Sequence, residues 1–74
     1  MTGNLTALAT RLCRALKDDT AGRPMQWRAI DKLAPRCRLP RAVAAEAATF
    51  AEQQGWLTIE GGHSVCLTEA GRRL

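Results

Sequence analysis

The chain is poor in the residues from which active sites and metal centres are usually built. Its 74 residues include no tyrosine, one phenylalanine (Phe50), two tryptophans (Trp27 and Trp56) and one histidine (His63). With a single imidazole, no nucleophile–base pair, no paired carboxylates in a pocket-forming context and no phosphate-cradling glycine loop, the chain is not expected to be an enzyme. The three cysteines, Cys13, Cys37 and Cys66, are an odd number without close pairing. That argues against a disulfide framework and for free buried thiols in a reducing compartment. His63 and Cys66 together with Cys37 offer three potential zinc ligands at no recognised spacing, whereas a structural zinc site takes four, usually as two close pairs. Neither a metal nor another cofactor is expected. No apolar run approaches the length of a membrane span, and the first residues lack the basic and apolar regions of a signal peptide. The expectation is a cytoplasmic protein with no membrane partner.

Acidic residues are also scarce, seven against eleven lysines and arginines, for a net charge of +4. Their distribution is uneven. Arg23, Arg28, Lys32, Arg36, Arg38 and Arg41 crowd between residues 21 and 41 with only Asp31 among them, while Glu46, Glu52 and Glu60 are the only charges between 42 and 62. A basic patch of this kind suits phosphate or an acidic partner surface, and it also suits a plain solvated face. The length fits one domain, residues 1–74, near the small end of what folds alone, with a core contributing about 3–5 kcal/mol net.

Periodicity divides the chain into elements. After a short tail from Met1 to Asn4, Asn4 is a candidate N-cap, and Leu5, Leu8, Ala9, Leu12, Cys13 and Leu16 form the apolar stripe of a helix reaching about Lys17. Asp18 to Pro24 is a loop broken by Gly22 and Pro24. Met25-Gln26-Trp27 is a very short strand or a helix entry, with Trp27 expected in the core. Trp27, Ile30, Leu33 and Ala34 fit a second helix closing at Pro35, because the residue before a proline avoids the helical region. Pro35 to Leu39 is then an arginine-rich turn. A third, alanine-rich helix runs from Pro40, suited to the first helical position, to about Gln54, with Gly55 closing it. Helical spacing puts Val43, Ala47, Phe50 and Gln54 on its inner face, and Arg41, Ala45, Ala48, Thr49 and Glu52 on its outer face. Trp56 to Ile59 and Ser64 to Leu67 are the strands of a hairpin turning at Glu60-Gly61-Gly62-His63, with Leu57, Ile59, Val65 and Leu67 facing inward. Thr68 caps a last helical turn that has Glu69 at its positive end and arginines at its negative end.

In this order the chain resembles the winged helix-turn-helix superfamily of small bacterial transcription regulators. Two motifs carry the resemblance. Gln54-Gly55-Trp56-Leu57 stands in the place of the family's "E-x-G-[LW]-[IL]" at the end of the recognition helix. Leu67-Thr68-Glu69-Ala70-Gly71-Arg72-Arg73-Leu74 stands in the place of its "L-T-x-x-G-R-x-L" after the wing. The resemblance covers Leu5 to Leu74. It implies an α+β fold: a three-helix bundle with a two- to three-stranded β wing and a short C-terminal helix. It also implies double-stranded DNA as partner, with the third helix in the major groove. Arg36, Arg38 and Arg41 would meet phosphates at the turn and helix start, and Arg28 and Lys32 would add backbone contacts. Ala45 and Thr49 would touch thymine methyls, Glu52 would accept from cytosine, and His63 lies on the wing.

The outer face of the third helix has no Asn, Gln or Lys at its middle, and the wing carries no Arg or Lys. This keeps open a second reading, a winged helix that docks a protein partner through its alanine-rich helix. Many relatives continue into a dimerisation helix that is absent here, so the expected states are a monomer or a homodimer pairing through the first helix or the wing. A further alternative makes Cys37 a redox sensor, its thiol acidified by neighbouring arginines, against burial as an inert turn residue.

Overall fold

The computed structural model describes residues 4–74. The tail expected over Met1 to Asn4 lies outside the described residues except for Asn4. Seven elements follow in order: α1 (Leu5–Asp19), β1 (Arg28–Ala29), α2 (Ile30–Cys37), α3 (Arg41–Gln53), β2 (Leu57–Glu60), β3 (Ser64–Leu67) and α4 (Glu69–Arg72). The architecture is α+β, with four helices and one three-stranded antiparallel sheet ordered β1-β3-β2 among the described residues.

The apolar stripe of α1 is the floor of the core, with Ala9, Leu12, Cys13 and Leu16 fully buried. Asn4 caps this helix with its carbonyl, which accepts from the Leu8 N–H at 2.9 Å, and its side chain makes no capping bond. The helix also outruns its expected end by two residues. It closes through its own backbone: the Gly22 N–H donates to the Lys17 carbonyl at 2.9 Å and the Ala21 N–H to that of Asp18 at 3.3 Å, with Ala21 left-handed at φ 55°. This is the paired closure of a Schellman motif.

Pro35 does not end α2. The helix carries it internally and continues to Cys37, because Ile30, Leu33, Ala34 and Cys37 are all buried against the core and their packing outweighs the lost N–H. Its end is a second Schellman closure, Leu39 N–H to the Ala34 carbonyl at 3.0 Å and Arg38 N–H to the Pro35 carbonyl at 3.1 Å. The turn is therefore Arg38-Leu39-Pro40, shorter than the expected Pro35–Leu39. Pro40 is the N-cap of α3, with extended ψ of 149°, one place before the position expected for it.

α3 buries Ala44, Ala47, Ala48 and Ala51 at 0 % exposure. Ala48 thus belongs to the inner face rather than the outer one. Val43 and Phe50 sit half-buried at its flank, and Gln54 is exposed. Four alanines in the contact line let α3 lie close to α1, so the larger residues of α1 and α2 fill the interior instead. A third Schellman closure, Trp56 N–H to the Ala51 carbonyl at 2.9 Å and Gly55 N–H to that of Glu52 at 3.0 Å, ends α3 with Gly55 at φ 79°.

In the sheet Leu57 faces Leu67 and Ile59 faces Val65. Leu57, Val65 and Leu67 are buried and Ile59 is half-buried against the same core. β1 pairs with β3 through Arg28 opposite Val65 and Ala29 opposite Ser64. Trp27, expected inside, is 38 % exposed just ahead of β1, and Met25, left-handed at φ 60°, is 75 % exposed.

The two sequence motifs meet in space. The Thr68 N–H donates to the Trp56 carbonyl at 3.0 Å, and its hydroxyl donates to the Gly55 carbonyl at 2.6 Å. The same hydroxyl oxygen accepts from the Gly71 N–H at 3.2 Å as the cap of α4. Gly71 is buried with its Cα over the Trp56 peptide. A Cβ there would run into the Trp56 carbonyl oxygen and stand 2.8 Å from Leu67 Cδ2.

Candidate nucleic-acid interface

The junction between α2 and α3 carries three of the eleven basic residues. Arg36 lies in the last turn of α2, Arg38 is the left-handed residue that closes it (φ 58°), and Arg41 opens α3. All three are exposed, as is Lys32 on α2. For Arg38 the backbone geometry is the one glycine tolerates best; a side chain there costs about 1–2 kcal/mol.

The start of α3 is open. No side chain caps it, no acidic residue stands in its first turn, and Arg41 and Ala42 face solvent. The N–H groups of a first helical turn have no intrahelical partners and carry the positive end of the helix dipole. With Arg38 and Arg41 on either side, this helix start offers fork-shaped donors and backbone donors to the same anion.

Two carboxylates temper the patch. Asp31 pairs with Arg41 through the Arg41 Nε. Asp19, at the end of α1, takes Arg28 Nε at 2.7 Å on one oxygen and Arg36 Nη1 at 3.3 Å on the other. Arg28 also donates to the Trp27 carbonyl at 2.9 Å and is half-buried, so it braces the loop against α1 and presents little charge outward. Among the described residues Lys32 and Arg38 enter no ion pair.

The outward line of α3 runs through Ala42, Glu46, Thr49 and Gln53, flanked by half-buried Ala45. Thr49 turns its hydroxyl back onto the Ala45 carbonyl at 3.1 Å, leaving its methyl for apolar contact. Glu46 and Gln53 stand on this line although the helical spacing alone directed attention to Glu52. Glu52 is engaged elsewhere, its carboxylate accepting the Ile59 N–H on the free edge of β2 at 3.2 Å. An open groove of about 450 Å³ runs along this face, lined by Leu5, Ala45, Glu46, Thr49, Phe50 and Gln53.

His63 lies at the hairpin tip, away from the α2–α3 junction in the chain's order. Its Nδ1 is 3.1 Å from the Ser64 hydroxyl, and its carbonyl accepts the Ile30 N–H that opens α2, at 2.8 Å. The structure therefore sets Arg36, Arg38 and Arg41 at one junction, leaves Lys32 exposed in the first turn of α2, assigns Arg28 to a brace, and sets Ala45 and Thr49 further along α3.

Cys37 sits beneath the junction and is 4 % exposed. Burial pushes its thiol pKa up, and this outweighs the opposing pull of the nearby Arg11 and Arg36. Cys13 is pushed up to about 12, first by burial and then by Cys37. Both thiols stay protonated and unreactive near neutrality, which favours the inert reading of Cys37.

Comparisons with known protein families, with curated proteins and with solved structures give no match for this chain.

Proposed function

We propose that the chain is a winged helix protein that grips the backbone of duplex DNA at the α2–α3 junction, as a transcription regulator or accessory factor. The observation that carries this reading is the start of α3: uncapped, free of acidic residues in its first turn, and bracketed by Arg38 and Arg41. Element order supports it, with a short strand between the first two helices joining the hairpin to make the sheet order β1-β3-β2. Lys32, Arg36, Arg38 and Arg41 supply the phosphate contacts. Ala45 and Thr49 contribute apolar contact, so affinity comes mainly from the backbone and sequence preference is weak. Four such contacts give a log–log salt slope of about −3 to −4. Binding of a random-sequence duplex measured across a salt series tests this. The expected result is that slope, lowered by about one unit in Arg38→Gln; no binding at low ionic strength would refute it.

One observation favours a second reading. The groove along α3 has apolar walls at Leu5, Ala45 and Phe50 and an acidic residue, Glu46, on its rim. That chemistry suits an amphipathic helix of a protein partner with a basic edge. Amide shifts confined to Ala45–Gln53 on adding a partner, with none on adding duplex, would select it.

A further inference from the structure

We propose that the outward face of the sheet holds a site for the guanidinium of an arginine on a protein partner, with Trp27 as its aromatic wall and Glu60 as its countercharge. The pairing register builds this face. Ser64 of β3 stands opposite Ala29 of β1 and Glu60 of β2, and Cys66 stands opposite Thr58. Directly opposed side chains share a face, and successive ones alternate. Val65 and Leu67 belong to the core, so Ala29, Thr58, Glu60, Ser64 and Cys66 point away from it. Continuing the β1 register back by one residue sets Trp27 opposite Cys66, on the same outward side. Two observations agree with this placement. Arg28, on the inward side, reaches Asp19 of α1 with its Nε at 2.7 Å. Cys66 is 6 % exposed yet stands outside the cluster of core residues, and Trp27 is the large side chain placed to cover it.

Trp27, Glu60, Gly61, His63 and Ser64 line one open pocket of about 270 Å³ on this face. Its walls are held in place. The Trp27 carbonyl accepts from Arg28 Nη1 at 2.9 Å, and the Ile30 N–H donates to the His63 carbonyl at 2.8 Å, tying the end of β1 to the hairpin tip. The imidazole folds back over Gly61, where a Cβ would stand 3.0 Å from His63 Nε2. β1 and β2 flank β3, so Trp27 and Glu60 stand two strand spacings apart, about 10 Å across the sheet. That gap takes one flat cation between ring and carboxylate. The face of an indole attracts cations, arginine more often than lysine. Glu60 carries the one formal charge among the five residues at pH 7, so the pocket favours a base and repels phosphate. A guanidinium stacks on the ring while its edge donates N–H groups to the carboxylate. Free small ligands are usually enclosed over most of their surface. This open pocket instead suits a side chain presented by another protein. The site stands apart from the α2–α3 junction and does not rest on the function proposed there.

The test follows the two indole Nε1–H signals of the intact chain by NMR in three titrations. The probes are N-acetyl-arginine amide, N-acetyl-citrulline amide and a short random-sequence duplex. The citrulline compound keeps the shape of the arginine one and loses its charge. The expected result is a Trp27 shift with the arginine compound, a far smaller one with citrulline, and a Trp56 signal that stays in place. Trp27 and Glu60 are exposed, so their variants keep the fold. Read from the Gly61 and Ser64 amides, Glu60→Gln should weaken arginine binding roughly three- to fivefold. Trp27→Leu should weaken it roughly five- to tenfold. Glu46→Gln, an exposed carboxylate on α3, should behave as wild type. Equal shifts with citrulline, unchanged affinity in Glu60→Gln, or a Trp27 signal unmoved by the arginine compound overturns the site. A Trp27 shift with duplex alone gives the face to nucleic acid and overturns the arginine reading. A Trp27 shift on raising the concentration of the chain alone, with a dimer in sedimentation, gives the face to a second copy and overturns the partner.

Discussion

Gly71→Ala is the smallest change that tests whether the two sequence motifs act as one structural unit. The added methyl would collide with the Trp56 carbonyl oxygen and stand 2.8 Å from Leu67 Cδ2. The first obstacle is backbone, which cannot swing aside as a side-chain end can, so α4 must retreat by an ångström or more. Retreat breaks the Thr68 N–H bond to the Trp56 carbonyl and the Thr68 hydroxyl bond to the Gly55 carbonyl, now 3.0 and 2.6 Å. Each is worth about 1 kcal/mol net. Loosened packing of Leu67 and Leu74 adds about 1–2 kcal/mol. The better helix propensity of alanine returns about 1 kcal/mol. The net loss is about 2–3 kcal/mol, most of what a chain of this size has in total. Urea unfolding followed by tryptophan fluorescence reads it directly, since Trp56 lies in the contact. With a slope near 1 kcal/mol/M the midpoint should fall by about 2–3 M. Ala70→Gly, a change at an exposed neighbour, should cost about 1 kcal/mol or less. A Gly71→Ala midpoint within 0.5 M of wild type would refute the close-contact reasoning.

Arg38→Gly should separate stability from binding: relief of the left-handed strain, less the entropy glycine loses on folding, raises stability by about 0.5–1 kcal/mol. The same variant should bind duplex more weakly, and a fall in both melting temperature and affinity would contradict the assignment. Asp31→Asn releases Arg41 and removes a charge that repels phosphate, so duplex affinity should rise about two- to fivefold with fold stability changed by under 1 kcal/mol; weaker binding would show that Asp31 positions Arg41 productively. Cys13 gives an alkaline signature. Its folded pKa is raised to about 12 from 9.0, so its contribution is complete below pH 9 and declines as pH climbs toward 12. The limiting slope is about 1.4 kcal/mol per pH unit. Denaturant midpoints from pH 8 to 11 should show that decline, and Cys13→Ala should flatten it.

Local signals of glycine, threonine and strand alternation made much of the fold readable. Gly55 closes α3, Gly61-Gly62 turns the hairpin, Thr68 caps α4, and the Leu57–Val65–Leu67 face is buried, each as its own chemistry requires. The failures came where packing overruled local preference. Pro35 reads as a stop, yet Leu33, Ala34 and Cys37 are all drawn into the core and carry the helix past it. In α3 one bulky residue, Phe50, suggested the inner face, whereas the true contact line is four alanines whose small size permits close approach. Ala44, Ala47, Ala48 and Ala51 do have the i, i+3, i+4, i+7 spacing of a buried face, but with Ala42 and Ala45 beside them that stripe carried little contrast against the bulky Phe50. At the junction, the arginine run was visible in the chain. Its division into brace and free cations was not, because Asp19 and Arg11 come from α1 and join it only through the tertiary fold.

All three long helices close through paired backbone bonds around a left-handed residue, at Ala21, Arg38 and Gly55. At Arg38 the closing bonds run through the backbone, so its side chain takes no part in them. At the α2–α3 junction this makes the surface rewritable: Arg38 or the exposed Ala42 can be exchanged for residues with other donors or another charge while the loop keeps its path. A selection for new targets would find its tolerated changes concentrated in these few positions, and would find Gly71 and Thr68, at the opposite pole of α3, almost closed to change.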